Sequence, residues 1–410
     1  MALIDNRGDA AVSGQLALPG VRMRLGSRPS AAAGAQLCEI VDLLAVPEPA
    51  WADLAGRAAE ANAFFHPAWA RAVARHAEGH AGSRALLVWD GPTRTRLLAL
   101  LPVMPAWRAL KLPLPLLVAW QAYAPLTTPL LDAERIDEAA RGLLAAATRA
   151  GALAVLLPRL SQAGVAAQAL RRAVAGGPAP RVTDAHQRAL LDAAQEPDAA
   201  LQTLGAKKLK ELRRQRNRLA DGGAVTFAMT ADPAAAAAGL DAFLSLEAQG
   251  WKGARGTALA QKPGDAAFVR EAVAGMMRAG QAQVATLASG DRIVGAGIVL
   301  RHRRRGYFFK IAYDETLAKM SPGVQLTLDI TRSLCADSAI DSVDSIAVSD
   351  HPMIDHVWRD RLPVCDLLLP VRVSRPAFLA IAAVLAARRA AREFARTVVH
   401  RIRFLRGVRP

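Results

Sequence analysis

The chain has 410 residues, of which 52% are hydrophobic and 21% charged, a composition typical of globular proteins with two or three domains. Its formal net charge of +16 comes almost entirely from two segments. Residues 207–218 carry seven Lys or Arg and one Glu, and residues 371–410 carry ten Arg and one Glu. The rest of the chain has 35 basic and 34 acidic residues, which excludes a polyanion-binding surface spread over the whole protein.

Cysteine spacing and apolar runs indicate the compartment. The three cysteines, Cys38, Cys335 and Cys365, are far apart in the sequence, which favours reduced thiols over a disulfide framework or a zinc site. The N-terminal stretch MALIDNRGDAAVSG lacks the apolar core of a signal peptide. The most apolar runs, such as LPLPLLVAW at 112–120, contain prolines and are far shorter than the roughly 20 residues of a spanning helix. The sequence therefore predicts a cytoplasmic protein.

The first half of the chain has a mixed helix and strand pattern. Residues 1–36 are rich in Gly, Ala, Ser and Arg without a sustained apolar period, which predicts a disordered leader. From residue 37 to about 195, the apolar periods predict a strand, two helices, three strands, a helix, a strand, a helix and a last strand near 181–191. This order is typical of an α/β domain.

The second half, residues 196–371, repeats that order after a basic helix at about 207–219. Leu209, Leu212 and Leu219 share one side of this helix, so its cations lie on the other side. Asp232-Pro233 predicts the start of the next long helix, and three strands joined by tight turns follow between about 282 and 313. We therefore expect two copies of one α/β unit, at 37–195 and 196–371.

Residues 372–410 predict an Arg-rich amphipathic helix, in which Phe394, Val398, Ile402 and Leu405 form an apolar stripe. Two interpretations are open for residues 376–406: the helix lies on an anionic membrane surface, or it packs on the protein with its arginines in water. The cations of 207–218 are likewise either the solvated face of a linker helix or a contact to RNA. Any RNA contact would be to phosphates alone, because neither segment interleaves aromatic residues for base stacking.

The element order resembles the GNAT acyltransferase superfamily, and its duplication resembles the FemAB-like branch of that superfamily. The motifs are similar to those of the CelD (cellulose biosynthesis protein) type of GNAT protein, and they span roughly 37–371. They are FFHPAW at 64–69, TPLLD at 128–132, WKG at 251–253 with GT at 256–257, FFKIAYDE at 308–315, SPG at 321–323, DSVDS at 341–345 and SDHPMIDHVWRDR at 349–361. The resemblance implies an α/β fold of tandem GNAT-like domains, each with a mixed central sheet flanked by helices.

The resemblance also implies an acyl donor, acyl-CoA (acetyl-CoA) as co-substrate, bound by the second domain. A helix N-terminus is a suitable partner for its pyrophosphate, because unpaired backbone N–H groups and the positive dipole end meet there. The SPG motif at 321–323 predicts such a helix start directly after the last of the three strands between about 282 and 313. Ser can cap a helix, Pro suits its first turn, and Gly lets a phosphate approach the backbone. The predicted donor-binding residues are Ser321, Pro322, Gly323 and Val324. An ordinary helix cap is the structural alternative.

One departure keeps a second donor open. The usual GNAT phosphate loop reads Gln/Arg-x-x-Gly-x-Gly/Ala, whereas residues 320–325 read MSPGVQ. FemAB relatives use aminoacyl-tRNA in place of acyl-CoA, so tRNA is the alternative partner.

Transfer to an amine or hydroxyl requires a base for the acceptor proton and donors for the developing oxyanion. Strand alternation in GYFFKIAYDE places Lys310, Ala312 and Asp314 on one face and Phe309, Ile311 and Tyr313 on the other. Asp344 lies on the next parallel strand, so we expect Asp314 or Asp344 to be the base. The predicted substrate-binding residues are Glu247, Trp251, Lys252, Lys310 and Tyr313. A solvated rim charge is the alternative for each lysine, and core packing for Trp251.

Histidine spacing does not predict a metal. His351 and His356 are five residues apart rather than four, and no third ligand is evident, so a cap or surface role is expected for both. His66 is expected to be a turn residue. We therefore expect no metal.

Together these features predict an acyltransferase that transfers an acyl group to an amine or hydroxyl of a sugar, a polysaccharide precursor or another polar acceptor. The first alternative is an aminoacyl-tRNA-dependent FemAB-like transferase. The second is a non-catalytic adaptor that docks on a membrane-bound glycan synthase through its Arg-rich tail. In either case the location is predicted to be cytoplasmic, with peripheral contact to the inner membrane surface through 376–406 as one interpretation.

Overall fold

A computed structural model describes residues 36–78, 82–119 and 123–405, with side chains described through Val398 except that of Arg396. The predicted disordered leader lies outside the described residues apart from Gln36, and so do residues 406–410. Within the described ranges, no helix combines the length and apolar character needed to cross a membrane.

The first half forms the predicted elements in order, but with four strands instead of three between its second helix and its long helix at Ile136–Arg149 and with an additional short helix, Ala106–Ala109, among them. Helix starts follow local chemistry: His66 caps the second helix by accepting a hydrogen bond from the Ala68 N–H, and Pro67 occupies the first helical position. The elements are β1 (Leu37–Asp42), α1 (Glu48–Arg57), α2 (Pro67–His76), β2 (Arg84–Trp89), β3 (Leu97–Pro105), α3 (Ala106–Ala109), β4 (Leu116–Ala119), β5 (Leu130–Leu131), α4 (Ile136–Arg149), β6 (Ala154–Ser161), α5 (Val165–Ala173) and β7 (Arg181–Asp192).

The second half confirms the repeated order and the Asp232 cap, whose carboxylate accepts from the Ala234 N–H at 2.9 Å. Its elements are α6 (Pro197–Gln202), α7 (Ala206–Leu219), β8 (Val225–Thr230), α8 (Pro233–Gln249), α9 (Trp251–Ala254), α10 (Pro263–Arg278), β9 (Ala282–Ser289), β10 (Arg292–His302), β11 (Arg305–Tyr313), α11 (Pro322–Ala336), β12 (Ser342–Asp344), α12 (Ile354–Val357) and β13 (Asp360–Pro370), followed by α13 (Arg375–Leu405).

The thirteen strands of the described residues belong to one mixed sheet, and the two halves exchange their last strands. The order along the sheet is β1-β2-β3-β4-β6-β13-β7-β12-β11-β10-β9-β8, with β5 beside β3. Strand β13, from the end of the second half, pairs with β6 of the first, and β7, from the end of the first half, pairs with β12 of the second. The two exchanged strands also pair antiparallel with each other at the centre. The described residues therefore form one compact unit.

The parallel strands β11 and β12 part soon after they begin. Only residues Arg305–Tyr307 of β11 pair with β12, where their partners are Ser342–Asp344, although β11 continues to Tyr313. The Asp344 carboxylate accepts a hydrogen bond from the Ile346 N–H at 2.8 Å, and Ile346 has a positive φ of 47°. This turn ends β12, so within the described chain residues 308–313 of β11 have no strand partner on that edge. A positive φ is rare for a β-branched residue and marks local strain.

A β-bulge changes which side chains of β11 face the helices α8 and α10. The register with β10 shifts between Ile298, opposite Lys310, and Val299, opposite Phe308, so Phe309 is the extra residue. Phe309 packs edge-on against Trp69 with ring centroids 4.7 Å apart, and Lys310 contacts Glu247 of α8. The simple alternation predicted for this strand is therefore wrong at Phe309, which lies on the same side as Lys310.

The main core joins both halves. Trp69 of α2 is fully buried and meets Phe268 of α10 edge-on at 5.1 Å, as well as Phe309 of β11. Tyr307 of β11 is also fully buried and donates its hydroxyl to the Ala61 carbonyl at 2.7 Å. Because aromatic side chains remove large apolar areas from water, this contact fixes the second half against the first.

Helix α13 packs on the sheet only along its first part. Phe378 and Ile381 are buried against β4, β6 and β13, and Leu385 packs partly on the same cluster. Beyond Leu385 that stripe of the helix continues as Arg388 and Arg392, and apolar packing on the sheet ends, although Arg389 still forms an ion pair with Asp184 of β7. The helical prediction for this segment is confirmed through Leu405.

Candidate active site

A buried carboxylate holds two lysines where α8 meets β11. One oxygen of Glu247 accepts hydrogen bonds from the ammonium groups of Lys252, at 2.8 Å, and Lys310, at 3.3 Å. The other oxygen accepts from the Leu259 N–H at 2.9 Å. The Glu247 side chain is only 1% exposed, whereas those of Lys252 and Lys310 are 24% and 23% exposed. The carboxylate thus anchors two cations whose ends remain accessible.

Burial and the charges of neighbouring side chains set the pKa values of Glu247 and Lys310. Burial raises the pKa of Glu247, but the neighbouring Lys310, the Lys252 hydrogen bond and the Leu259 N–H outweigh it, and the net pKa is lowered. Burial lowers the pKa of Lys310, and the charge of Lys252 lowers it further. Glu247 is therefore ionised, and Lys310 gives up its proton more readily than an ordinary lysine.

A small pocket of about 30 Å³ lies beside Glu247 and Lys252, and two more of the predicted substrate-binding residues line it. Trp251, half-exposed, and Tyr313 flank it together with Glu247 and Lys252. Lys252 and Arg255 approach the Trp251 ring to 5.8 Å and 5.0 Å from its centroid. The structure thus brings together all five residues expected to bind substrate.

Glu315 is an exposed carboxylate in this pocket that sequence analysis did not select. One of its oxygens accepts a hydrogen bond from the Trp251 N–H at 2.9 Å, and the other has no hydrogen bond within the described residues. The sequence feature that could have indicated Glu315 is its position next to Asp314, at the end of the FFKIAYDE motif. Strand position alone could not show which of the two carboxylates faces the pocket.

The first half reaches the same region through Tyr123. The Tyr123 ring stacks on Phe268 of α10 with centroids 4.7 Å apart, and its hydroxyl hydrogen-bonds Asp265. Burial and this carboxylate raise the pKa of Tyr123, so the hydroxyl stays protonated. Asp265 also contributes to the field at Lys310. No sequence motif marked either residue, because their proximity depends on how the halves pack.

Asp314, predicted as a base, is buried at the end of β11 and already engaged. One oxygen accepts from the N–H and hydroxyl of Thr316, at 2.9 Å and 2.5 Å, and the other pairs with Arg292. Asp314 thereby starts the 3-10 helix Glu315–Met320. No hydrogen bond or ion pair joins it to Lys310 within the described chain, so the two side chains expected to share a cleft are not in contact.

Asp344, the second predicted base, is fully buried in an ion pair with Arg188 of the exchanged strand β7. Its other oxygen accepts from the Ile346 N–H. Arg188 also donates to the Pro125 carbonyl at 3.0 Å, and Arg159 donates to the Ala124 carbonyl at 3.2 Å. These contacts hold the loop that carries Tyr123. Asp344 therefore positions this loop through Arg188.

The predicted donor-binding turn adjoins the pocket through Tyr313. A Cβ at Gly323 would lie 2.6 Å from the Tyr313 ring, so only glycine fits beneath that ring. Pro322 occupies the first helical position as expected, but Ser321 is left-handed, with a φ of 51°, and its side chain makes no capping hydrogen bond. The predicted Ser321 cap is therefore wrong. Within the described residues, the N–H groups of Gly323 and Val324 have no hydrogen-bond acceptor.

A mostly apolar pocket of about 320 Å³ opens beside this turn. Val324, Met353 and Val357 contribute its wall, and Lys208 of α7 and Arg359 contribute cations. Helix α7 is held there by the Arg216–Asp329 ion pair and by Gln325, whose side chain donates to the Leu212 carbonyl at 2.8 Å. One cation of the basic helix thus lies next to the predicted donor site.

Histidines have structural positions. His66 caps α2, and the His351 ring accepts from the Met353 N–H at 3.3 Å. Across the part of the chain that is described, no group of three or more His, Cys, Asp or Glu side chains is arranged to hold a metal ion.

The parted strands, the helix start beside them and the long mixed sheet flanked by helices define an α/β fold of GNAT type. Residues 206–351 match the family model described as "Acetyltransferase (GNAT) domain". No curated protein sequence gives a significant match to the chain.

FemX shares the fold at low sequence identity, and two other solved structures are similar to the chain. FemX is 10% identical with a TM-score of 0.53, over 84% of this chain and 99% of that chain. The C-terminal domain of a putative lysylphosphatidylglycerol synthetase from Agrobacterium fabrum is 14% identical with a TM-score of 0.49, over 82% and 96%. A tandem GNAT protein from the clavulanic acid biosynthesis pathway is 12% identical with a TM-score of 0.40, over 83% and 100%.

Proposed function

We propose that the protein is an acyltransferase in which the start of α11 binds an anionic acyl donor and the Glu247–Lys310 pocket binds a polar acceptor. One observation carries this proposal: Tyr313 lines the pocket and also covers Gly323, whose N–H has no acceptor within the described chain. Donor and acceptor sites that share one ring would be neighbours, as direct transfer requires.

Three features support acyl-CoA, with acetyl-CoA as the simplest case, as the donor. The free N–H groups of Gly323 and Val324 and the dipole of α11 suit a pyrophosphate. The unpaired edge of β11 suits an extended arm that bears amide groups. Lys208 and Arg359 at the adjoining apolar pocket suit a base and its phosphate.

The acceptor side fits a sugar-like or other polar amine or hydroxyl, as the CelD resemblance implies. An exposed Trp251 ring offers a stacking surface, and Lys252 offers a donor for an anionic or hydroxyl group. Tyr123 adds a contribution from the first half through its contact with Asp265 of the second, so both proposed domains, 37–195 and 196–371, would contribute to one site.

We assign the base to Glu315 in place of Asp314 or Asp344, because both aspartates are buried and ion-paired whereas Glu315 has a free oxygen in the pocket. In transfer from a thioester, the acceptor nitrogen or oxygen bonds to the acyl carbon and the carbon–sulfur bond breaks. The acceptor proton passes to Glu315, and the thiolate leaves and takes up a proton. Lys310 would stabilise the charge that develops on the acyl oxygen.

The test is a thermal-shift and thiol-release panel of acyl-CoA species with amine and hydroxyl sugars. The wild type should be stabilised by its donor, and Glu315→Gln should lower kcat/KM by about 10²–10⁴-fold, the usual range for loss of a general base. Asp314→Asn should lower it less, because that residue acts through the turn. Asp291→Asn, an exposed turn substitution between β9 and β10, is the matched control and should change nothing.

Glu315→Gln with wild-type turnover would remove the base assignment alone. No stabilisation and no thiol release with any acyl-CoA would contradict the donor assignment.

The second candidate is an aminoacyl-tRNA donor, favoured by the exposed cations of α7 and by the departure of residues 320–325 from the usual loop. In that case the broken bond is the carbon–oxygen ester of the tRNA. Salt-sensitive tRNA binding that Lys208→Glu weakens, together with no response to acyl-CoA, would favour this donor.

A further inference from the structure

The exposed part of α13, residues 386–398, has two chemically different sides. Val384, Ala387, Ala391, Phe394 and Val398 follow each other at spacings of three and four residues, so they form one stripe. Phe394 is 72% exposed, Val384 42% and Val398 37%, although all three are large apolar side chains. Arg388, Arg389 and Arg392 lie along the other side, with Glu393 as the one acidic residue of the segment.

The helix is held so that this apolar stripe faces away from the protein. Phe378 and Ile381, on the side that becomes Arg388 and Arg392, are buried against the sheet. Arg389 forms an ion pair with Asp184 of β7, which fastens the same side further along. The side opposite to these contacts is therefore the one that carries Val384, Phe394 and Val398.

The charge of the arginines and the small apolar area of the stripe indicate which kind of partner binds this side of α13. A second copy of the helix, packed stripe to stripe, would add a second set of arginines to the assembly and offer them no partner, with only one glutamate in each segment to offset them. Its contact would be one narrow stripe of two alanines and three larger side chains from each copy, which buries little apolar area. An anionic lipid surface attracts the arginines and accepts isolated Phe and Val side chains among its acyl chains.

We propose that α13 beyond Leu385 docks the protein on an anionic membrane surface, with Phe394 and Val398 inserted and the arginines near the lipid headgroups. Residues up to Leu385 anchor the helix to the sheet and so set the distance between protein and membrane. This role does not depend on the acyl-transfer chemistry.

The experiment is co-sedimentation of the full chain with vesicles of phosphatidylcholine alone or mixed with about equal phosphatidylglycerol. The wild type should sediment with the anionic vesicles at low salt and less at high salt. Phe394→Ser with Val398→Ser should weaken binding by at least about tenfold. Arg388→Gln with Arg392→Gln should weaken it by roughly 30-fold, at about fivefold for each charge.

Val348→Ser is the matched control, because Val348 is also 72% exposed but lies on the body of the protein. Circular dichroism and melting temperature establish that each variant is folded. Equal sedimentation of all variants, or none with anionic vesicles, would overturn the proposal. The proposal would also be overturned if the protein did not bind vesicles but formed a concentration-dependent dimer that the Phe394 and Val398 changes abolish. RNA binding that depends on the arginines alone would overturn it as well.

Discussion

Arg188 and Asp344 are the most deeply buried oppositely charged pair in the described chain and lie where the two halves meet. Removing one partner would leave the other charge buried without compensation, at a cost of about 3–5 kcal/mol. Any loss of turnover in an Asp344 variant would therefore come first through folding and through the loop that Arg188 holds. Glu315, which is exposed, has no such structural contribution, and its substitution is the cleaner probe of chemistry.

At the same scale, two neighbouring histidines predict acid sensitivity. Burial lowers the pKa of both His66 and His302 to about 4, from about 6.5 in the unfolded chain. Below pH 6.5 the unfolded state binds protons that the folded state refuses, so stability present at pH 7 is lost as the pH falls towards 4. Each histidine should cost about 2 kcal/mol between pH 7 and pH 5.

His66→Asn tests this, because Asn retains the α2 cap without titrating in this range. Urea unfolding at pH 7 should give nearly wild-type stability, and at pH 5 the variant should lose about 2 kcal/mol less than the wild type. Identical pH dependence in both proteins would show that His66 is not the group responsible.

At the scale of elements, α7 has a buried apolar side and an exposed basic side, and the RNA contact stays a prediction. Leu212 and Leu219 are buried and its cations lie outward, which confirms the amphipathic prediction. Its position against α11 also places Lys208 beside the proposed donor site. A helix face that looks merely solvated in sequence can thus contribute to a site once its partner helix is known.

Lys208→Glu should weaken donor binding by about tenfold, because it replaces an attraction to phosphate with a repulsion. Lys210→Glu is the matched control, since Lys210 is equally exposed on α7 but does not line the pocket. Isothermal titration with the donor identified by the thermal-shift panel measures both constants. Equal weakening by the two changes would mean that only the overall charge of the helix matters.

For the whole molecule, the exchange of β7 and β13 makes each half dependent on the other. Without residues 196–410, β6 loses its neighbour β13, and without residues 1–195, both β12 and β13 lose β7. An unpaired central strand exposes a row of backbone groups and apolar faces. The predicted boundary at residue 195, just after β7, therefore separates two sequence repeats. It does not separate two parts that we expect to fold independently.

We therefore expect the fragments 36–195 and 196–410 to be unfolded or insoluble when produced separately and to copurify as a folded pair when produced together. Circular dichroism and size-exclusion chromatography measure this. A fragment that unfolds cooperatively by itself, at a melting temperature near that of the whole chain, would contradict the prediction.

The sequence by itself predicted most of the order of helices and strands, because periodicity and caps are local signals. It selected Glu247, Trp251, Lys252, Lys310 and Tyr313 through the family resemblance, and their role in binding substrate stays a prediction. It could not show that Tyr123 and Asp265 meet, that Phe309 lies in a bulge, or that Asp344 pairs with Arg188. Those features depend on contacts between residues far apart in the chain. The exchange of the last strands was likewise decided only by tertiary structure, since a strand has the same apolar pattern whichever neighbour it pairs with.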